Sequence, residues 1–144
     1  MKQKIEYIEI NKLRLWSENP RDPIDKEASD FEIISHALQN DHEKWNLDKL
    51  LNKMGPHYDF SELPTVVQDK GEYIVYDGNR RLAIIKILQN QSLYQSVMGK
   101  LFLPDNLEHF LNLSTIPCNV CDKETALDNI ERKHIETGSW KALE

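Results

Sequence analysis

The chain has 144 residues, 40% of them hydrophobic and 29% charged, with a net charge of −6 at neutral pH. That is one domain of ordinary soluble composition, long enough for a real core and without the basic field of a non-specific nucleic-acid binder. No apolar run approaches the roughly 20 residues of a membrane helix, and Met1-Lys2-Gln3-Lys4 leads into a strand, not a signal peptide, so no membrane partner and a cytoplasmic location are expected.

Ile5–Leu15 alternates loosely between apolar and polar residues and predicts one or two short strands. It ends at Trp16-Ser17-Glu18-Asn19-Pro20-Arg21-Asp22-Pro23, where two prolines bracketing an arginine predict a loop. Ser29-Asp30-Phe31-Glu32 is a capping box opening a helix to about Gln39. After the polar break Asn40-Asp41-His42-Glu43, the residues Leu47, Leu50, Leu51 and Met54 recur at i, i+3, i+4 and i+7, a second amphipathic helix stopped by Gly55-Pro56. His36, His42 and His57 lack the i, i+4 spacing of a helical metal pair and read as packing or surface residues, and Trp45 reads as a packing residue between helices.

Leu63–Gln68 predicts a strand, Asp69-Lys70-Gly71 a hairpin turn and Glu72–Tyr76 its partner. Asp77-Gly78-Asn79 is turn chemistry, and Arg80–Gln89 is an apolar helix whose wet side falls near Lys86 and Gln89. Arg80 and Arg81 fall within the apolar arc of its first turn, beside the positive end of the helix. Two guanidiniums, unpaired amides and a glycine that admits close backbone approach make an anion site, most naturally for phosphate. The plainer alternative pairs the arginines with local carboxylates such as Asp77. Leu93–Phe102 predicts a further helix, and Leu103-Pro104-Asp105 restarts a short one to about Leu113.

Ile116–Cys121 predicts a strand, with Asp122 capping a helix Lys123–Ile135. Cys118 and Cys121 form a lone Cys-x-x-Cys on opposite faces of that strand, which reads as two buried thiols instead of a zinc or redox site. On the last helix Ala126, Leu127, Ile130 and His134 share one face, while Asp128, Asn129 and Arg132 cluster on another. Taken alone, that second cluster is a surface i, i+4 ion pair worth tenths of a kcal/mol.

Three stretches together resemble the ParB/sulfiredoxin-like superfamily. Gly78-Asn79-Arg80-Arg81, after a strand and before an apolar helix, is similar to the Gly-Glu-Arg-Arg box that holds a nucleotide triphosphate in the ParB proteins of chromosome and plasmid segregation. Asn79 stands in the place of the acidic residue, and Ala83 where a further arginine is common. Asn19-Pro20-Arg21 is similar to the Asn-Pro…Arg segment beside the nucleotide, with its arginine sooner than usual. Asp128-Asn129-Ile130-Glu131-Arg132 resembles the Glu-Asn-x-Gln-Arg box that contacts nucleotide phosphate or its Mg²⁺, and Asp for Glu keeps a hard oxygen ligand. Lys133-His134 with Gly138 and Trp140 is similar to the ending of uncharacterised ParB-like proteins. Sulfiredoxin itself uses a catalytic cysteine near its phosphate box; this chain has none near Gly78, so that activity is not expected.

The resemblance implies an α+β fold, a small mixed sheet with helices packed around it, as one domain over residues 1–142, with Leu143-Glu144 read as a cloning scar. No helix-turn-helix follows, so the domain reads as excised from a longer protein. It implies a nucleotide-binding switch module of a DNA-associated protein, with CTP or ATP and Mg²⁺ as cofactors. Gly78, Asn79, Arg80, Arg81, Asn19, Arg21, Asn129 and Arg132 would hold the nucleotide, and Asp128 the metal. DNA would be met through another domain or partner, and a homodimer stays open. Two alternatives remain beside it. One is a metal-assisted nuclease or small-molecule phosphotransferase with Glu18, Asp77 or Glu131 as its base; the other is a protein-interaction module without a ligand.

Overall fold

The computed structural model describes residues 3–19, 23–25, 27–40, 42–98, 103 and 106–137, with the side chains of 42, 43 and 134–137 left aside. The architecture is α+β, a five-stranded mixed sheet with helices on both faces. The stretch expected as one or two strands is two, β1 (Gln3–Glu9) and β2 (Leu13–Leu15), joined by a 3-10 turn over Ile10–Lys12. They lie at opposite ends of the sheet. With β3 (Thr65–Asp69), β4 (Glu72–Asp77) and β5 (Thr115–Cys121), the strand order is β1-β5-β3-β4-β2. β1 pairs antiparallel with β5, β5 parallel with β3, β3 antiparallel with β4, and β4 parallel with β2. Four strand spacings would separate β1 from β2 by about 19 Å in a flat sheet, while the four steps from Glu9 to Leu13 reach at most about 14 Å. The sheet is therefore curled.

The helices are α1 (Asp30–Gln39), α2 (His42–Trp45), α3 (Leu47–Met54), α4 (Asn79–Gln89), α5 (Gln91–Met98), α6 (Glu108–Leu111) and α7 (Lys123–Thr137). The capping box that opens α1 is formed, with Ser29 Oγ accepting from the Glu32 amide at 3.2 Å. The part of the predicted 93–102 helix past Met98, and Pro104-Asp105, lie outside the described residues. Strand alternation sends Val66 and Val75 to one face, where the larger core joins α1, α3 and α4, and Val67 and Tyr76 to the other, where Ala126 and Ile130 of α7 cover them.

α4 is the central helix, and it is covered nearly all round. The edge expected to be wet is the least covered part of the helix beyond its first turn, but it is half-buried. Lys86, its side chain 11% exposed, pairs with Asp30 at 3.1 Å and donates to the Ile10 carbonyl at 3.3 Å, and Gln89 donates to the carbonyls of Phe110 and Leu113 at 2.8 and 2.6 Å. These two polar residues knit the core helix to its neighbours.

Candidate functional site

The junction of β4 and α4 is built by Gly78, whose φ of +105° lies in the left-handed region that glycine adopts without cost. A Cβ there would stand 3.2 Å from Pro64 Cβ, so the turn is pressed against the segment that enters β3. The Leu82 amide makes the first bond of the helix, to Gly78 O at 3.1 Å. The amides of Asn79, Arg80 and Arg81 precede that bond, at the positive end of the helix.

Arg81 and Lys133 bring two cations to this turn. Arg81, its side chain 15% exposed, puts Nη2 3.5 Å from the Glu62 carboxylate. Its Nε and Nη1 are buried with no partner among the described residues. Lys133 Nζ donates to Asp77 Oδ2 at 3.0 Å, while Asp77 Oδ1, also buried, has no such partner. The Tyr58 hydroxyl completes the set: burial foremost, with Cys118 behind it and Arg81 opposing, pushes it up to about 12, and it too lacks a partner. With Leu63, Pro64 and Gly78 these side chains line one narrow cleft.

The other expected site residues are placed differently. Arg80 turns away from the cleft, its Nε donating to the Trp45 carbonyl at 2.6 Å and its Nη2 to that of Asn46 at 3.2 Å. Asn79 is fully buried: its Oδ1 accepts from the Trp16 amide and its Nδ2 donates to Val75 O, both at 2.9 Å. An acid in its place would lack the second of these bonds, which is the physical reason an amide stands there. Asn19 is buried in a turn with its amide on Trp16 O at 3.2 Å, and Arg21 lies outside the described residues. Glu18 is exposed, near enough to Tyr76 to add to the rise that burial gives its hydroxyl.

On α7, Ala126 and Ile130 face the sheet, which puts Asp128 about 200° round on the exposed side. Asn129 Nδ2 donates to Gln3 Oε1 at 2.8 Å and Arg132 Nη2 to Asn129 Oδ1 at 3.3 Å, so this pair ties the helix to β1, and Glu131 is exposed. The residue of α7 that lines the cleft is Lys133, one past the box. The sequence carried a signal for it: Lys133 follows Ala126 by seven residues and Ile130 by three, the spacing of one helical face. Tyr58 and Glu62 lie in the segment between α3 and β3 and carried no such pattern. Among the described residues no group of three or more His, Cys, Asp or Glu side chains suits a metal ion.

No protein-family model and no curated protein matches the chain. A search of solved structures finds sulfiredoxin from Arabidopsis thaliana at 16% identity, covering 88% of this chain and 94% of that one, with a TM-score of 0.35.

Proposed function

We propose that the cleft at the head of α4 binds a phosphate-bearing ligand, with a nucleoside triphosphate such as CTP or ATP as the ligand that the resemblance favours. One observation supports this above others. Six buried side-chain atoms lack a partner among the described residues, and four of them (Tyr58 OH, Asp77 Oδ1, Arg81 Nε and Arg81 Nη1) belong to residues lining this single cleft. Native folds leave few such atoms, because each costs about 1–3 kcal/mol, and their concentration in one place supports a binding site there.

Glu62 and Asp77 offset the two cations in the free protein. The Glu62 side chain is 55% exposed, so its pair with Arg81 contributes at most about 1 kcal/mol. Each charge-assisted bond from the guanidinium to a phosphate oxygen contributes roughly 1.5–3 kcal/mol, so a phosphate displaces Glu62. Lys133 and the first-turn amides add to the attraction. For Mg²⁺, Asp77 Oδ1 supplies a hard oxygen inside the cleft, and one or two carboxylates beside phosphate is the usual magnesium arrangement. Asp77 thus fits the metal role that the resemblance gave to Asp128. In a longer protein the bound nucleotide would act as a switch for a DNA-associated segment elsewhere.

A thermal-shift series with pyrophosphate, CTP and ATP, each with and without Mg²⁺, tests the reading. A ligand at 100 times its Kd stabilises by about 2.7 kcal/mol, a rise of several degrees in Tm. No rise with any of the three at millimolar concentration would sink it.

A further inference from the structure

β1 is an edge strand, with β5 on one side and no strand on the other among the described residues. The Ile10 amide donates to Ser114 O at 2.9 Å, and this pair continues the register that sets Glu9 against Thr115. Hydrogen bonds alternate along an antiparallel pair, so the even residues Lys4, Glu6 and Ile8 bond inward to β5. The backbone groups of Gln3, Ile5, Tyr7 and Glu9 then point out along the open edge. On one face of that edge Ile5 is 64% and Tyr7 71% exposed. The strand carries neither a proline nor a bulge, and of the usual devices that blunt an edge it has only charged side chains, Lys4, Glu6 and Glu9.

We infer that β1 pairs antiparallel with β1 of a second copy of this chain, across a two-fold axis at Ile5. A two-fold normal to the sheet keeps every side chain on its own face, so each residue meets one of the same parity. Three central registers satisfy this. Centring on Glu6 opposes Glu6 to itself and Gln3 to Glu9. Centring on Tyr7 opposes Glu6 to Ile8 and Ile5 to Glu9. Centring on Ile5 opposes Lys4 to Glu6 twice, Ile5 to Ile5, and Tyr7 to Gln3. Only the last sets unlike charges opposite each other, and it does so at non-hydrogen-bonded positions, where side chains lie closest. Ile5 meets its counterpart at a hydrogen-bonded position, as its outward backbone groups require. The charge pattern Lys4-Ile5-Glu6 therefore selects both the partner and the register, and the two sheets become one. This pairing rests on β1 alone and is independent of the anion site.

Sedimentation equilibrium of the whole chain over roughly 1 μM to 1 mM at low salt reads the association, a range suited to an interface smaller than standard size. A reversible dimer is expected. Glu6→Lys sets lysine against lysine twice and weakens it about tenfold or more, whereas Lys4→Glu with Glu6→Lys restores unlike pairs and returns the dimer to within a few-fold of wild type. Lys4 is exposed and Glu6 half-buried, so circular dichroism verifies the fold of each variant. Oxidised Ile5→Cys gives a covalent dimer, because hydrogen-bonded partners sit about 5.5 Å apart; Tyr7→Cys does not. A wild type that stays monomeric, a dimer indifferent to Glu6→Lys, or a folded double variant as weak as the single one overturns the pairing.

Discussion

Arg80 and Arg81 are neighbours in the chain, yet their guanidiniums leave α4 for different tasks. Arg80 holds the carbonyls of Trp45 and Asn46, where α2 gives way to α3, and Arg81 keeps two N–H groups for the cleft. Asn79 is a third case, fully buried between Trp16 and Val75. Asn79→Ala strips two buried backbone groups of their partners and should cost roughly 2–4 kcal/mol, read as a lower urea midpoint, while ligand affinity of the folded protein stays within about twofold. An unchanged midpoint would contradict the structural role. The sequence placed Asn79 at the turn before α4 but could not tell which way its amide faces, because Trp16 is 63 positions away. Arg80 escaped for the same reason: its acceptors come from residues 34 and 35 positions earlier.

Among the elements, those whose cause is local were legible. The hairpin between β3 and β4 turns at Lys70 and Gly71, with φ of 52° and 84°, as the Asp69-Lys70-Gly71 chemistry predicts. The capping box of α1 and the apolar run of α4 were equally local. The division of Ile5–Leu15 into strands at opposite ends of the sheet was not, because it follows from pairing with β5 and β4 far along the chain. The turn at Gly78 joins the two levels. Gly78→Ala must hold a left-handed backbone and push Pro64, which should cost about 1–3 kcal/mol and lower Tm by several degrees. It should also narrow the cleft and weaken phosphate binding. A variant with wild-type Tm would show that the turn is not under this constraint.

Across the whole molecule, three buried groups set an alkaline limit. Burial pushes Cys118, Tyr58 and Tyr94 each up to about 12. In the unfolded chain a thiol ionises near 8.5 and a phenol near 10, by rough reference values. The native state thus holds these protons more tightly, so stability is independent of them below pH of about 8.5 and falls as pH rises toward 12. Urea midpoints should be clearly lower at pH 10.5 than at pH 7.5; equal midpoints would contradict the burial. The central claim concerns the cleft, and isothermal titration tests it most directly. CTP and ATP with Mg²⁺ would be titrated into wild type, Arg81→Ala and Arg80→Ala, with circular dichroism on each. Binding by wild type should weaken about tenfold or more in Arg81→Ala and stay within a few-fold in Arg80→Ala, whose loss appears in stability instead. A folded Arg81→Ala protein that binds as tightly as wild type, or a wild type that binds neither nucleotide, would contradict it.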